Sequence, residues 1–128
     1  MVGIVLVSHS AELARGLADV VGQVAGGEVA IEAAGGAPGG GLGTSAELVS
    51  AAIARADRGD GVVVIGDLGS SILTVRHILD HLGANGRVRL ADAPFVEGAI
   101  AASVMAAGGG IVQDVLTAAE SARDAHKF

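Results

Sequence analysis

A histidine lies directly after the first apolar run of this chain, and it is the residue best suited to chemistry. The run from Val2 to Leu6 is rich in β-branched residues, and Val7-Ser8-His9-Ser10 follows it. Such a run, followed by small polar residues, is typical of a buried parallel strand that ends in a turn. Open α/β sheets build their sites at the carboxyl ends of their strands. His9 is therefore placed to act as a nucleophile or a general base.

A carboxylate follows another predicted strand. Asp67 comes directly after the apolar run from Gly61 to Gly66. Because parallel strands end at the same edge of a sheet, Asp67 and His9 could share one crevice. A carboxylate on one ring nitrogen of His9 would fix its tautomer and leave the other nitrogen free to react. The structural alternatives are a helix-start histidine bonded to the backbone and an aspartate that serves only the turn.

Small hydroxyl residues stand at the same strand ends. They are Ser10, Thr44, Ser45, Ser70 and Ser71. Thr44 or Ser45 can cap the helix after the second strand, and Glu47 has the capping-box spacing from Thr44. Ser70 and Ser71 open the next helix and are also predicted to cap. Helix starts carry free N–H groups, so these residues are candidates for anion binding as well.

The other motifs indicate neither a nucleotide site nor a metal site. The glycine-rich segment from Gly35 to Gly43 lacks the lysine and the spacing of a P-loop, and it follows the second strand rather than the first. His77 and His81 lie four residues apart on one predicted helix, but no third ligand is identified, and His126 stands near the end of the chain. We therefore expect no bound metal and no cofactor.

Composition narrows the class of protein. A chain of 128 residues with 51% hydrophobic and 2% aromatic residues predicts one domain, residues 1–128, with a core of small aliphatic side chains. A net charge of −6 with eight scattered basic residues argues against nucleic acid. The absence of cysteine excludes disulfides and thiolate zinc sites and fits the cytoplasm. No signal peptide is visible and no apolar run reaches the roughly 18 residues of a membrane span, so we expect a soluble protein without membrane contact.

Strand and helix patterns alternate along the chain. The predicted strands cover residues 3–8, 29–34, 61–66 and 87–90, and the predicted helices cover about 10–24, 45–58, 72–82, 94–107 and 111–125. The alternation implies right-handed βαβ crossovers and a parallel sheet with helices on both faces. We expect an open, mostly parallel α/β sheet of about four strands in the order 2-1-3-4. Surplus apolar residues in the C-terminal half suggest a homodimer: Ile100, Val104, Ile111, Val112, Val115 and Leu116.

Three segments together resemble a known family. They are Val7-Ser8-His9-Ser10, the Gly-Leu-Gly-Thr-Ser segment from Gly41 to Ser45, and the Gly-Asp-Leu-Gly-Ser-Ser segment from Gly66 to Ser71. Their order and their strand-end positions are similar to those of the mannose-type enzyme IIA domains of the bacterial phosphoenolpyruvate-dependent sugar phosphotransferase system. The resemblance covers nearly the whole chain. Transporter-type relatives carry a Thr-His-Gly-like stretch at the histidine, and Ser8-His9-Ser10 favours the dihydroxyacetone kinase branch.

The resemblance implies a function and partners. His9 would take a phosphoryl group from the carrier HPr, Asp67 would orient its ring, and the five hydroxyl residues would line the phosphate side. The group would then pass to ADP held in the subunit DhaL, while the subunit DhaK binds dihydroxyacetone. By this resemblance the chain would be the phosphotransferase component of phosphoenolpyruvate–glycerone phosphotransferase, with a phosphohistidine intermediate. The family also implies a homodimer.

Two other functions remain open from the sequence. The first is a mannose-type IIA domain that serves a sugar transporter or a regulator, with the same chemistry and a different acceptor. Neighbouring genes would distinguish it, since either DhaK and DhaL or permease subunits would be encoded there. The second is a non-catalytic α/β module whose glycine-rich segment binds a small anion. Ligand binding that persists without phosphorylation would favour that module.

Overall fold

Four parallel strands form the central sheet in the part of the chain that a computed structural model describes, residues 1–83 and 86–128. The strands are β1 (Gly3–Ser8), β2 (Ile31–Gly35), β3 (Val62–Gly66) and β4 (Val88–Leu90). Their order is β2-β1-β3-β4, and every neighbouring pair is parallel. The α/β class and the strand order predicted from the sequence are confirmed.

Helices cover both faces of this sheet. Within the same residues they are α1 (Ala11–Val24), α2 (Ala46–Ala56), α3 (Gly69–Leu82), α4 (Phe95–Ala107) and α5 (Val112–Ser121), with a short 3₁₀ turn at Ala122–Asp124. α1, α4 and α5 pack on one face, and α2 and α3 pack on the other. No helix in the described residues is both long enough and apolar enough to span a membrane.

β1 is the strand that positions the site, and it is buried along its whole length. Its side chains alternate between the two faces: Ile4 and Leu6 join the core under α1, while Val5 and Val7 join the core under α2 and α3. Burying each such side chain contributes about 1.5–3 kcal/mol. This packing on both faces fixes where β1 ends, and therefore where Ser8 and His9 lie.

The turns that follow the three neighbouring strands are bonded to one another. The Asp67 N–H donates to the Val7 carbonyl at 3.0 Å, and the Gly36 N–H donates to the Ser8 carbonyl at 3.3 Å. Gly35 brings β2 against the start of α1, because a Cβ atom there would lie 2.5 Å from the Ser10 carbonyl oxygen. The carboxyl edge of the sheet is therefore a closely packed surface built from three separate turns.

Several element boundaries differ from the sequence prediction. β2 begins at Ile31 rather than at residue 29, because its pairing starts only where Ile31 meets Ile4 of β1. α3 begins at Gly69, three residues before the predicted start, because the Asp67 side chain accepts the Leu68 N–H at 2.7 Å and closes the turn early. The last helix ends at Ser121, and the chain continues as the 3₁₀ turn.

Candidate active site

His9 lies in the turn between β1 and α1, and its side chain is 25% exposed. The next residue, Ser10, is the N-cap of α1, and its hydroxyl accepts the Leu13 N–H at 3.2 Å. On the other side, the Gly43 N–H donates to the His9 carbonyl at 2.9 Å. The backbone of His9 is therefore held by both α1 and the glycine-rich segment, and the imidazole ring lies partly open to solvent.

Asp67 holds the ring of His9 and is itself held by five donors. Its Oδ1 lies 3.0 Å from His9 Nδ1, and its Oδ2 accepts the His9 backbone N–H at 3.0 Å. The Ser8 hydroxyl donates to Oδ2 at 2.9 Å. The Leu68 N–H and the Ser71 hydroxyl donate to Oδ1 at 2.7 Å and 2.8 Å. These bonds fix the carboxylate, and through it the plane of the imidazole.

The charge state of Asp67 decides which ring nitrogen can react. Burial raises the pKa of Asp67, but hydrogen bonds from the His9 backbone, Ser71, Ser8 and the His9 ring to the charged form together lower this pKa to about 2. Asp67 is therefore ionised at neutral pH and accepts the proton on Nδ1. In the neutral imidazole, Nε2 then carries the free lone pair.

Three hydroxyl groups continue this network towards solvent. Ser70 Oγ contacts His9 Nε2, where its hydroxyl can donate to the lone pair. The Ser71 hydroxyl donates its one proton to Asp67, so the Thr44 hydroxyl must be the donor in the 3.2 Å contact between Thr44 Oγ1 and Ser71 Oγ. Ser71 is buried, whereas Ser70 is exposed and Thr44 is half-buried. Ser70 and Thr44 are thus the hydroxyl groups of this network that solvent reaches.

The predicted site residues fall into two groups in the structure. His9, Asp67, Thr44, Ser70 and Ser71 form one hydrogen-bonded network. The hydroxyls of the other two predicted residues, Ser10 and Ser45, are occupied as N-caps of α1 and α2.

The N-caps of α2 and α3 differ in part from the sequence prediction. Ser45, rather than Thr44, is the N-cap of α2, and it accepts the Leu48 N–H at 3.3 Å, so the spacing between Thr44 and Glu47 forms no capping box. Ser70 and Ser71 are not caps, because α3 begins before them and its N-cap is Leu68. Their hydroxyls are therefore available to His9 and Asp67.

Ser8 is a site residue that the sequence prediction did not include. It is fully buried at the end of β1, donates to Asp67 at 2.9 Å, and accepts the Ser10 N–H at 3.0 Å. One signal in the sequence could have identified it. A serine at the end of an otherwise apolar, buried strand needs a hydrogen-bond partner inside the protein.

The other histidine pair makes no comparable site. His77 and His81 are exposed on α3 with ring centroids 4.4 Å apart, and His81 Nδ1 lies 2.8 Å from the His77 carbonyl oxygen. In residues 1–83 and 86–128, no group of three or more His, Cys, Asp or Glu side chains is arranged to hold a metal ion.

The arrangement around His9 suits transfer of a group onto nitrogen. In the neutral ring Nε2 carries the free lone pair, the side chain is 25% exposed, and the carboxylate behind Nδ1 can balance positive charge that develops on the ring. Ser70, the second residue of α3, contacts Nε2, so the positive end of the α3 dipole lies beside this nitrogen. An incoming anionic group would therefore meet donors and partial positive charge at Nε2.

Comparison with known proteins points to one family. The family model EIIA-man, described as "PTS system fructose IIA component", matches residues 3–116. A crystal structure described as "unknown function protein EF1359" is 31% identical in sequence, with a TM-score of 0.81 and coverage of 94% of each chain.

Similar curated proteins share one description. A Listeria innocua protein named "PEP-dependent dihydroxyacetone kinase 2, phosphoryl donor subunit DhaM" is 36% identical, over 81% of this chain and 85% of its own length. Proteins named "PEP-dependent dihydroxyacetone kinase, phosphoryl donor subunit DhaM" from Klebsiella michiganensis and Escherichia coli are each 36% identical, over 96% and 99% of this chain. The chain spans 28% of the length of each of these two proteins.

Proposed function

The chain belongs to the EIIA-man family, and from this we propose that it carries a phosphoryl group on His9 from phosphorylated HPr to ADP bound in DhaL. The transfer would drive the phosphorylation of dihydroxyacetone bound in DhaK, in the cytoplasm. The observation that carries the proposal is the pairing of His9 Nδ1 with Asp67 at 3.0 Å, which leaves Nε2 as the free nitrogen. The names of the relatives support the substrate, since the similar proteins are described as phosphoryl donors of dihydroxyacetone kinase.

The first transfer forms one bond and breaks one bond. The Nε2 lone pair attacks the phosphorus of the donor's phosphohistidine, and the N–P bond of the donor breaks with its electron pair returning to the donor ring. Nδ1 of His9 keeps its proton. The positive charge that develops on the ring is balanced by the Asp67 carboxylate, which is already ionised.

The second transfer reverses these roles. A terminal phosphate oxygen of ADP attacks the phosphorus, the N–P bond breaks, and its electron pair returns to Nε2. No side chain of this chain has to gain or lose a proton in either direction. The site is therefore suited to passing the group on in both directions rather than to hydrolysing it.

The residues around Nε2 fit a phosphoryl group. Ser70 contacts Nε2, and its hydroxyl can rotate to donate to a phosphoryl oxygen once Nε2 is occupied. The α3 N-terminus offers further donors on the same side, and Thr44 would donate there by rotating its hydroxyl away from Ser71. Gly41 and Gly43 have φ values of +80° and +141°, a backbone conformation that favours glycine, and Gly43 holds the His9 carbonyl through its N–H.

We expect the phosphorylated chain to be stable with ADP and magnesium alone and to discharge rapidly when DhaL carrying ADP is added. The net charge of −6 repels a free nucleotide, and the sequence has no lysine-bearing phosphate loop to hold one. The measurement follows loss of the label from the protein with time. Dihydroxyacetone phosphate should form only when DhaK is also present.

The controls for this experiment distinguish ADP bound to DhaL from free ADP and from the acceptor of a sugar transporter. Omitting ADP from DhaL should stop discharge, since the group then has no acceptor. Rapid discharge to free ADP would contradict the proposed acceptor. Full retention of the label with DhaL and ADP would instead favour the IIA domain of a sugar transporter.

We also propose that the protein is a homodimer, joined through an exposed apolar patch at the connection between α4 and α5. Of the apolar residues that suggested a dimer, Val115 and Leu116 are buried, and Ile100 and Val112 pack against the protein's own core. The patch consists of residues that remain exposed: Val104, Met105 and Ile111, at 55%, 40% and 67%. α4 starts at the carboxyl edge of the sheet, so its end lies at the edge opposite His9.

We expect light scattering to give a dimer for the wild type and a monomer for a variant with Val104→Ser and Ile111→Ser. The reason is that both side chains are exposed in the monomer and would be buried only between copies. Labelling of His9 should be retained in this variant, because the patch is remote from the site. A wild type that is monomeric at micromolar concentration would contradict the dimer.

A further inference from the structure

Three side chains of the site are joined in the order hydroxyl, imidazole, carboxylate. Ser70 Oγ contacts His9 Nε2, and His9 Nδ1 lies 3.0 Å from Asp67 Oδ1. A serine, a histidine and an aspartate joined in this way form the triad of acyl-transfer sites on several unrelated folds, where they are recognised by geometry rather than by sequence order. Phosphoryl transfer onto His9 makes no use of Ser70 as a nucleophile. The triad therefore has the geometry for a reaction that the proposed function does not use.

The protons of this triad are placed as acyl transfer requires. Asp67 is ionised at neutral pH, since the hydrogen bonds to it lower its pKa to about 2, and it accepts the proton on Nδ1 of His9. The lone pair of Nε2 then faces the Ser70 hydroxyl and can take its proton. Ser71 donates to Asp67 at 2.8 Å and lies 3.2 Å from Nδ1, which fixes the buried side of the triad.

The position of Ser70 at the start of α3 supplies a donor for the negative charge of an attacked carbonyl oxygen. Bonding within α3 begins with the Ile72 N–H, which donates to the Leu68 carbonyl at 3.3 Å, and no side chain caps the helix. The Ser70 N–H therefore has no partner within its own helix. A backbone N–H at this place, with the positive end of the helix dipole, stabilises an oxyanion next to the nucleophile.

Of the serines near the imidazole, Ser70 is the one placed to react. Ser8 and Ser71 are buried, and both donate their protons to Asp67. The Ser10 hydroxyl caps α1. Ser70 is exposed, so a small ester can reach its hydroxyl from solvent while the imidazole behind it takes the proton.

We propose that the unphosphorylated protein has a second activity, in which Ser70 hydrolyses small activated acyl esters with His9 as general base and Asp67 as the orienting group. An exposed nucleophile is activated by its neighbours but encloses little of the substrate, so esters with a good leaving group are the class that should react. This activity needs neither HPr nor DhaL and does not depend on the proposed function.

The reaction consumes one ester and one water. Ser70 Oγ forms a bond to the carbonyl carbon while Nε2 takes the hydroxyl proton; the bond from carbon to the leaving oxygen then breaks, and Nε2 returns the proton to that oxygen. Water attacks the acyl-serine in the same way, with its proton going to Nε2 and then to Ser70 Oγ as the acyl bond breaks. The products are a carboxylic acid and an alcohol, and the site returns to its first state.

Acyl transfer and phosphoryl transfer must exclude each other at this site. A phosphoryl group on Nε2 occupies the lone pair that Ser70 needs as its base. Protein phosphorylated on His9 should therefore lose the ester reaction and regain it when the group is discharged. An ester reaction that is equally fast in the phosphorylated and unphosphorylated forms would overturn the triad.

The nucleophile is tested with phenylmethylsulfonyl fluoride, which reacts slowly with ordinary serines and leaves a stable adduct on an activated one. Peptide mapping by mass spectrometry should find the adduct on Ser70 and not on Ser121, an exposed serine at the end of α5 that serves as the control within the same molecule. In His9→Gln the labelling of Ser70 should slow at least about 100-fold, because the general base is gone. His81→Gln should be labelled like the wild type.

Turnover is tested with p-nitrophenyl acetate under the same conditions. We expect the wild type to release p-nitrophenol faster than Ser70→Ala, whose remaining rate should match that of an equal concentration of free imidazole groups. Asp67→Asn should be slowed as well, and Asp57→Asn, whose carboxylate pairs with Arg87, should not. Ser70 is exposed on a helix, so its replacement by alanine leaves the fold intact, and circular dichroism checks this.

Each other outcome overturns a specific statement. No adduct on Ser70, or equal labelling in His9→Gln, overturns the triad. An acetyl group or sulfonyl adduct on His9 instead of Ser70 means that the imidazole is the nucleophile and that Ser70 only bonds it, which also overturns the proposal. If HPr fails to phosphorylate a wild type whose Ser70 is labelled, the proposed function is wrong and the second activity stands.

Discussion

Replacing His9 by alanine is expected to reduce labelling by phosphoenolpyruvate, enzyme I and HPr to background. The only imidazole bonded to Asp67 among the described residues is that of His9, and its Nε2 is the atom placed to accept the group. The label on the wild type should be acid-labile and alkali-stable, because an N–P bond to histidine has this behaviour. Mass spectrometry of the labelled protein at neutral pH measures the result.

The other histidines provide the matched controls. His77→Ala, His81→Ala and His126→Ala should each be labelled like the wild type, since all three are exposed and the His81 ring bonds the His77 carbonyl rather than the site. Circular dichroism should show that His9→Ala is folded, because its backbone contacts to Asp67 and Gly43 remain. Full labelling of His9→Ala would refute the assignment of His9.

Asp67→Asn is expected to slow labelling by at least about 100-fold, by comparison with the loss of the carboxylate behind a catalytic histidine elsewhere. The amide removes the charge that holds the proton on Nδ1 and that balances the phosphorylated ring. The rate of labelling by phosphorylated HPr measures the effect. Asp57→Asn is the matched control, because Asp57 is also a partly buried carboxylate but pairs with Arg87, at 2.8 Å, instead of His9.

A spectroscopic measurement distinguishes positioning from a general loss of structure. Nitrogen NMR of the wild type should show the His9 ring with its proton on Nδ1, because ionised Asp67 accepts that proton. In Asp67→Asn the proton should move at least in part to Nε2, since the amide no longer enforces one tautomer. An unchanged tautomer together with an unchanged rate would mean that Asp67 serves only the turn.

Asp67 should also make stability depend on pH. Its pKa is about 2 in the folded protein against an ordinary value of 3.8, so the folded state binds this proton more weakly than the unfolded state does. The contribution is complete above about pH 4 and is lost as the pH falls through about 2; a shift of this size corresponds to about 2 kcal/mol. The free energy of unfolding of Asp67→Asn should therefore fall less over this range than that of the wild type.

The elements that place the site could be predicted from the sequence because their signals are local and strong. A β-branched run buried on both faces fixes β1 at Gly3–Ser8, as predicted, and the alternation of strands and helices fixes the parallel sheet. Strand ends in a parallel sheet share one edge. For that reason His9 and Asp67 could be predicted to meet, although they lie 58 positions apart along the chain.

The roles of the individual hydroxyls could not be predicted in the same way. Whether Thr44 or Ser45 caps α2 depends on a shift of one residue in the turn, and both residue types are common at N-caps. The early start of α3 follows from bonds between the Asp67 side chain and the backbone, which leave no trace in the apolar periodicity. Ser8 was missed because a serine ending a strand resembles the first residue of a turn.

The five bonds to Asp67 also bear on how a partner protein could distinguish the phosphorylated form of this chain from the unphosphorylated form. The carboxylate joins the turn after β1 to the turn after β3, so neither turn can shift without breaking bonds in the other. None of these bonds involves Nε2, so a phosphoryl group there would leave them in place and add a charge of about −2. We therefore expect the phosphorylated and unphosphorylated forms to share nearly the same backbone and to differ in electric potential. A positively charged partner would therefore bind the phosphorylated form more tightly than the unphosphorylated form through electrostatic attraction alone. This difference in affinity would decrease as ionic strength rises.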